Sequence, residues 1–158
     1  MSGGRLIAGV GVGWSEAEFA ALGVPFHERG ARTNEYLRLW QACWAPGKVS
    51  FAGKFFSFSE MHVNPKPVQQ PHPPIWIGGA SDAALRRAAR FAALWQPTPL
   101  PLAGLVERQT ALHQACDQIG RLPPDAHELP RRDQHSHRQC AIVGRQAAGW
   151  IRHASRSR

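Results

Sequence analysis

Acidic residues are scarce in this chain: 11 Asp and Glu stand against 19 Lys and Arg in 158 residues, with one tyrosine, two methionines and three cysteines. Cys43, Cys116 and Cys140 are odd in number and irregularly spaced. That argues against a secreted disulfide framework and fits a reducing compartment, so the expected location is cytoplasmic. No apolar run approaches the roughly 18–20 residues of a membrane span, and the first residues lack a basic stretch followed by an apolar segment, so neither a membrane anchor nor a signal peptide is expected. The glycine-rich nucleotide signatures are missing as well. In "GRLIAGVGVGW", a dinucleotide fingerprint beginning at Gly9 would need its third glycine at Trp14, and one beginning at Gly11 would need it at Glu16. No Gly-Lys-Ser or Gly-Lys-Thr follows, which excludes a P-loop.

The net charge of +8 would suggest nucleic-acid binding if it formed a stripe. It does not. Residues 1–119 hold 11 basic and 8 acidic residues, while residues 120–158 hold 8 arginines and 3 acids, so the excess is concentrated in the last quarter. That quarter is rich in Arg, His, Gln and Pro, has no lysine and little sustained period, and resembles a GC-rich gene read out of frame. It is read as an irregular or disordered basic tail. Within it His135, His137 and Cys140 have a spacing that zinc could use, but chance clustering in such a composition is the reading adopted, and no metal site is expected.

What is present before residue 120 has order. Leu6 to Val12 reads as a buried strand, and Ser15 with Glu18 has the spacing of a capping box opening a short helix that ends at Gly23. A longer helix follows, with Leu37, Trp40 and Trp44 as its core stripe. "VSFAGKFFSFS" predicts a hairpin about Gly53, and "NPKPVQQPHPP", with five prolines in eleven residues, predicts an extended connection in which His72 is a loop residue. "PIWIGG" reads as a second buried strand. Ser81 caps a helix whose apolar side is Leu85, Ala88, Ala89 and Ala92, and whose Arg86, Arg87 and Arg90 form a solvated face. "LWQP" is a short strand in which Trp95 is core, with a pocket-facing role for Trp95 and Gln96 the alternative. Residues 102–119, carrying Leu105, Leu112, Ala115 and Ile119, read as a last helix. The order strand, helix, hairpin, strand, helix, strand, helix predicts an α/β fold with parallel strands and helices outside. Ligands of such folds lie at the carboxyl ends of the strands, where Gly11/Gly13 and Gly78/Gly79 fall. Gly9 is assigned to close strand packing.

The blocks "GRLIAGVGVGW", "EFAALGVPFHERGART", "VSFAGKFFSF", "PKPVQQPHPPIWIGGAS" and "AALRRAARFAALWQP" together resemble the middle of a luciferase-like monooxygenase of the class that uses the deazaflavin coenzyme F420. The resemblance covers residues 3–119 and implies a partial TIM (β/α)8 barrel, from the fourth strand to about the sixth, in a chain that starts without the first three βα units. It implies a hydride exchange between the deazaflavin and a small organic substrate, with an FMN-dependent monooxygenase as the alternative. By resemblance Val12, Gly13 and Trp14 border the coenzyme ring, and Gly78, Gly79 and Ala80 receive its phosphate. Free N–H groups at a helix start favour an anion there, while a tight strand-to-helix turn is the plain structural alternative. The acid or base groups that the family places after its early strands are not in this sequence, so no catalytic residue is assigned. The resemblance implies neither a nucleic-acid nor a membrane partner, and it leaves a homo-oligomer open. A truncated, catalytically inactive product is the reading from a different class.

Overall fold

The computed structural model describes residues 2–124; the expected irregular tail beyond Pro124, with His135, His137 and Cys140, lies outside the described residues. In chain order the elements are β1 (Ala8–Val10), α1 (Glu16–Ala21), a 3-10 turn (Phe26–Glu28), α2 (Arg29–Trp44), β2 (Lys48–Ala52), β3 (Ser57–His62), β4 (Ile75–Gly78), α3 (Asp82–Phe91), β5 (Leu94–Gln96) and α4 (Leu102–Asp117). β1, β4 and β5 form a parallel sheet in the order β1-β4-β5, and β2 pairs with β3 as an antiparallel hairpin. No described helix is long and apolar enough to cross a membrane.

Alternation along the strands decides which face is core. Ile75 and Ile77 are fully buried against Leu85, Ala88, Ala89 and Ala92 of the α3 segment and Leu112 and Cys116 of α4, with Ala8, Val10 and Trp95 packed around them. Gly9, Trp76, Gly78, Leu94 and Gln96 take the other face. Alanines on the inner side of α3 let the helix lie close to the sheet, and burial of each large aliphatic here stabilises by about 1.5–3 kcal/mol. Ser81 Oγ accepts from the Ala84 N–H at 3.3 Å, the expected cap. At the opposite end Arg121 donates to the carbonyls of Ala89 and Ala92, each at 2.7 Å, closing the helix with a cation where the dipole favours one.

Several details differ from the sequence reading. The first strand is Ala8–Val10 rather than Leu6 to Val12, because its described partner β4 engages only Ala8 to Val10. Ser15 precedes α1 but makes no side-chain cap bond, so the capping box does not close; the right spacing does not fix the rotamers that the box needs. Leu37 is buried, whereas Trp40 is 37% exposed and lies tilted against Trp44 at 5.6 Å between centroids: α2 packs through a narrower stripe than three apolar positions suggested. Ile119 likewise falls beyond the end of α4 and is exposed. The hairpin runs on to His62 with an irregularity between Val49 and Phe51. Around Gly9 nothing among the described residues lies within 4 Å of where a Cβ would stand, so the close packing expected there is not seen; its face of the sheet is uncovered at that point. Arg87 is the largest departure. It is buried, not solvated, and donates through Nε to Asn34 Oδ1 at 2.7 Å and through Nη2 to the Gly30 carbonyl at 3.2 Å, tying α3 to α2.

Candidate functional site

Parallel pairing puts the carboxyl ends of β1, β4 and β5 on one edge of the sheet, and both glycine clusters leave from that edge. After β1 the chain passes through half-buried Val12 to Gly13, whose φ of +80° is one that L side chains rarely adopt. A Cβ there would stand 2.7 Å from Phe19 Cε2, and Phe19 is itself held edge-on against Phe26. Gly13 therefore lets the turn close over the α1 aromatic. Trp14 follows it, 87% exposed.

After β4 the geometry is tighter. Gly78 pairs with Gln96, and the next residue, Gly79, takes φ +107°. Its N–H donates to the Gln96 carbonyl at 3.1 Å, and its carbonyl accepts from Trp95 Nε1 at 2.7 Å. The 79–80 peptide is trans, and in a trans peptide the N–H points opposite to the C=O. With the Gly79 oxygen fixed toward Trp95, the Ala80 N–H is directed the other way, and no described residue accepts from it. It precedes the start of α3 at Asp82, where the unpaired amides and the positive end of the helix dipole lie. A Cβ at Gly79 would press on Ala84 Cβ at 3.2 Å in addition to the strained φ. This corner offers an anion a preset donor, which suits a phosphate or carboxylate.

Trp95 was expected to be core, and its ring does pack against the core; what the sequence did not reveal is that its N–H orients the Gly79 peptide. The available signal was that a buried indole requires an acceptor. His72 proves to be structural: its Nδ1 lies 2.8 Å from the Pro73 carbonyl and so donates to it, which leaves Nε2 to accept from Gln41 Nε2 at 3.3 Å. It sits ahead of β4, at the amino end of the strand, opposite the end from which the glycine corner leaves. Among the described residues no group of three or more His, Cys, Asp or Glu could hold a metal.

Glu35 was not foreseen at all. Its buried carboxylate accepts the N–H groups of Lys54, Phe55 and Phe56, each at 2.8 Å, and so nails the hairpin loop to α2. Burial pushes its pKa up, but the three N–H groups and Arg38 pull it down further, and the net direction is below the ordinary carboxyl value. Its role is structural.

The model of the luciferase-like monooxygenase family matches residues 1–150. An FMNH2-dependent dimethylsulfone monooxygenase of Pseudomonas putida is 40% identical over 92 residues, covering 56% of this chain and 25% of that protein. An uncharacterized protein of Mycobacterium tuberculosis is 37% identical over 100 residues, 63% of this chain and 35% of that one. The crystal structure of the monooxygenase RslO1 from Streptomyces bottropensis superposes with a TM-score of 0.67 at 25% identity, over 94% of this chain and 49% of that one. The riboflavin lyase RcaE superposes at 0.61 with 18% identity, a likeness of fold. The chain thus spans a quarter to about a third of these curated relatives and half or less of these solved structures.

Proposed function

The chain belongs to the luciferase-like monooxygenase family, and from that membership we propose that it supplies the phosphate-holding corner of a flavin-type oxidoreductase. Its three parallel strands are, on this proposal, part of a (β/α)8 barrel, from about the fourth strand to the sixth. A sheet with its core on the helix side, and with Gly9, Trp76, Gly78, Leu94 and Gln96 on the other, has the sidedness of a barrel wall. Trp76 Nε1, buried without an acceptor among the described residues, supports a further group on that inner side.

The observation that carries the reading is the Gly79–Ala80 peptide. Trp95 and the Gln96 carbonyl hold it so that the Ala80 N–H faces outward at the start of α3, and the residues present therefore fit a coenzyme phosphate. Val12, Gly13 and Trp14, leaving the neighbouring strand at the same edge, would border the ring system. When bound, the flavin-type coenzyme supplies the redox chemistry on a small organic substrate. The chain's part is to bind and orient. The FMNH2-dependent relatives favour FMN as the coenzyme; the deazaflavin F420, suggested by the sequence blocks, is the second reading.

Titration of the full chain with FMN and with riboflavin tests this directly, because the two differ only by the phosphate. FMN should bind at least about tenfold more tightly, the worth of one or two charge-assisted hydrogen bonds. Gly79→Val should remove that advantage, at a cost above roughly 1 kcal/mol from strain and lost donors together, and Trp95→Phe should reduce it. Equal affinity for the two ligands in the unsubstituted chain would make the double glycine a turn and nothing more. Competition between F420 and FMN decides the coenzyme.

A further inference from the structure

A groove of about 360 Å³ runs between α2 and α3 on the helix side of the sheet, lined by Gly30, Ala31, Asn34, Ala83, Arg86, Arg87 and Arg90. None of Gly78, Gly79 and Ala80 lines it, and it plays no part in the function proposed above. Arg87 is 5% exposed and has no carboxylate partner among the described residues; its acceptors there are the neutral Asn34 Oδ1 and Gly30 carbonyl. A buried cation is ordinarily paired, since leaving it uncompensated costs several kcal/mol. The acids on these two helices are committed elsewhere: Glu35 to the hairpin loop, and Asp82 to Arg108 at 2.8 Å. Glu28, just ahead of α2, pairs with Arg32 at 2.7 Å.

Donor and acceptor chemistry sharpens the point. Guanidinium has no acceptor, so Asn34 must turn its oxygen to Arg87, which leaves its NH2 as a donor. Arg87 Nη1 has no acceptor among the described residues, and Arg86 and Arg90 are exposed on either side. Every polar side-chain group left over in the lining is a donor, and three carry charge. Gly30, Ala31 and Ala83 belong to the first turns of their helices, where the dipole adds positive potential. Two neutral acceptors fix the guanidinium plane in advance, so little entropy is lost when a ligand binds.

We propose that this groove is a second binding site, taking a phosphate-class oxyanion that supplies the counter-charge Arg87 lacks. Arg87 provides a fixed donor, and Arg86 and Arg90 close on the remaining oxygens. The group could be free phosphate or the phosphate of a small ester; the chemistry of recognition is the same.

The test uses the full chain, with thermal shift and calorimetric titration against inorganic phosphate and glycerol 3-phosphate, and chloride at matched ionic strength as reference. Phosphate should raise Tm and bind where chloride does not, and R86A/R90A should weaken phosphate binding at least about tenfold while the chain stays folded. Arg5→Ala, which removes an exposed positive charge away from the groove, should bind phosphate as the parent does. Preference for the ester over the free ion identifies an organic phosphate as the occupant, and the reverse identifies the free ion; both support the site. No advantage over chloride, unchanged affinity in R86A/R90A, or an equal loss in Arg5→Ala would overturn it. Loss of phosphate binding in Gly79→Val, with R86A/R90A unchanged, would assign the anion to the other corner and likewise overturn it.

Discussion

A methyl group added at Gly53 would overlap the Glu35 carboxylate and crowd Phe51 Cε1 at 2.8 Å, whereas the same methyl at Gly9 would meet nothing among the described residues. Gly53→Ala should therefore destabilise the chain by about 1–3 kcal/mol, as overpacking does, and Gly9→Ala should stay within about 0.5 kcal/mol; urea denaturation of the two variants measures both. The sequence reading assigned close packing to Gly9 and only a hairpin turn to Gly53, because the need for Gly53 depends on a glutamate from another element. The same carboxylate predicts a pH effect. Its pKa in the fold is lowered, against the pull of burial, by the N–H groups of Phe55, Phe56 and Lys54 and by Arg38. The stability it contributes is thus complete above its ordinary value of 4.5 and is lost as pH falls through the lower value it has in the fold. Glu35→Gln should have a lower Tm than the parent at neutral pH, and the gap should narrow on acidification below that value. A gap that widens in acid would mean the carboxylate is not held in its charged form.

Elements whose information is local were legible. In α3, the Ser81 cap and the buried Leu85/Ala88/Ala89/Ala92 side follow from neighbouring residues, and the structure matches both, although the helix itself stops at Phe91 and Ala92 is buried just beyond it. Leu85→Ala should cost about 2–5 kcal/mol by thermal or chemical unfolding, since Leu85 is 2% exposed at the centre of the core. What could not be read locally is which of three similar arginines turns inward. That depends on Asn34 and Gly30 presenting acceptors from α2, a tertiary fact with no periodicity of its own. The hairpin shows the same limit. Its existence was written in the aromatic alternation, but the shift between Val49 and Phe51 was not read from it, because the one extra residue between Phe58 and Met61 interrupts the two-residue period only once.

At the scale of the whole molecule, the βα order predicted a parallel sheet with helices outside, and β1-β4-β5 with its helix-side core is that arrangement. The glycine corner was legible as a place, because strand ends and helix starts can be found from pattern. Its suitability for an anion was argued from the helix start, but the group that orients it was not legible, since the direction of the Ala80 N–H is set by a bond from Trp95 on the next strand. The proposed function rests on that one amide receiving a coenzyme phosphate. The most direct test is the amide spectrum of the isotopically labelled full chain during addition of FMN and, separately, riboflavin. The Ala80 N–H resonance should move downfield with FMN and far less with riboflavin, and the Trp95 indole N–H should follow it as the shared peptide polarises. An Ala80 signal that responds equally to both ligands, or to neither, would contradict the assignment.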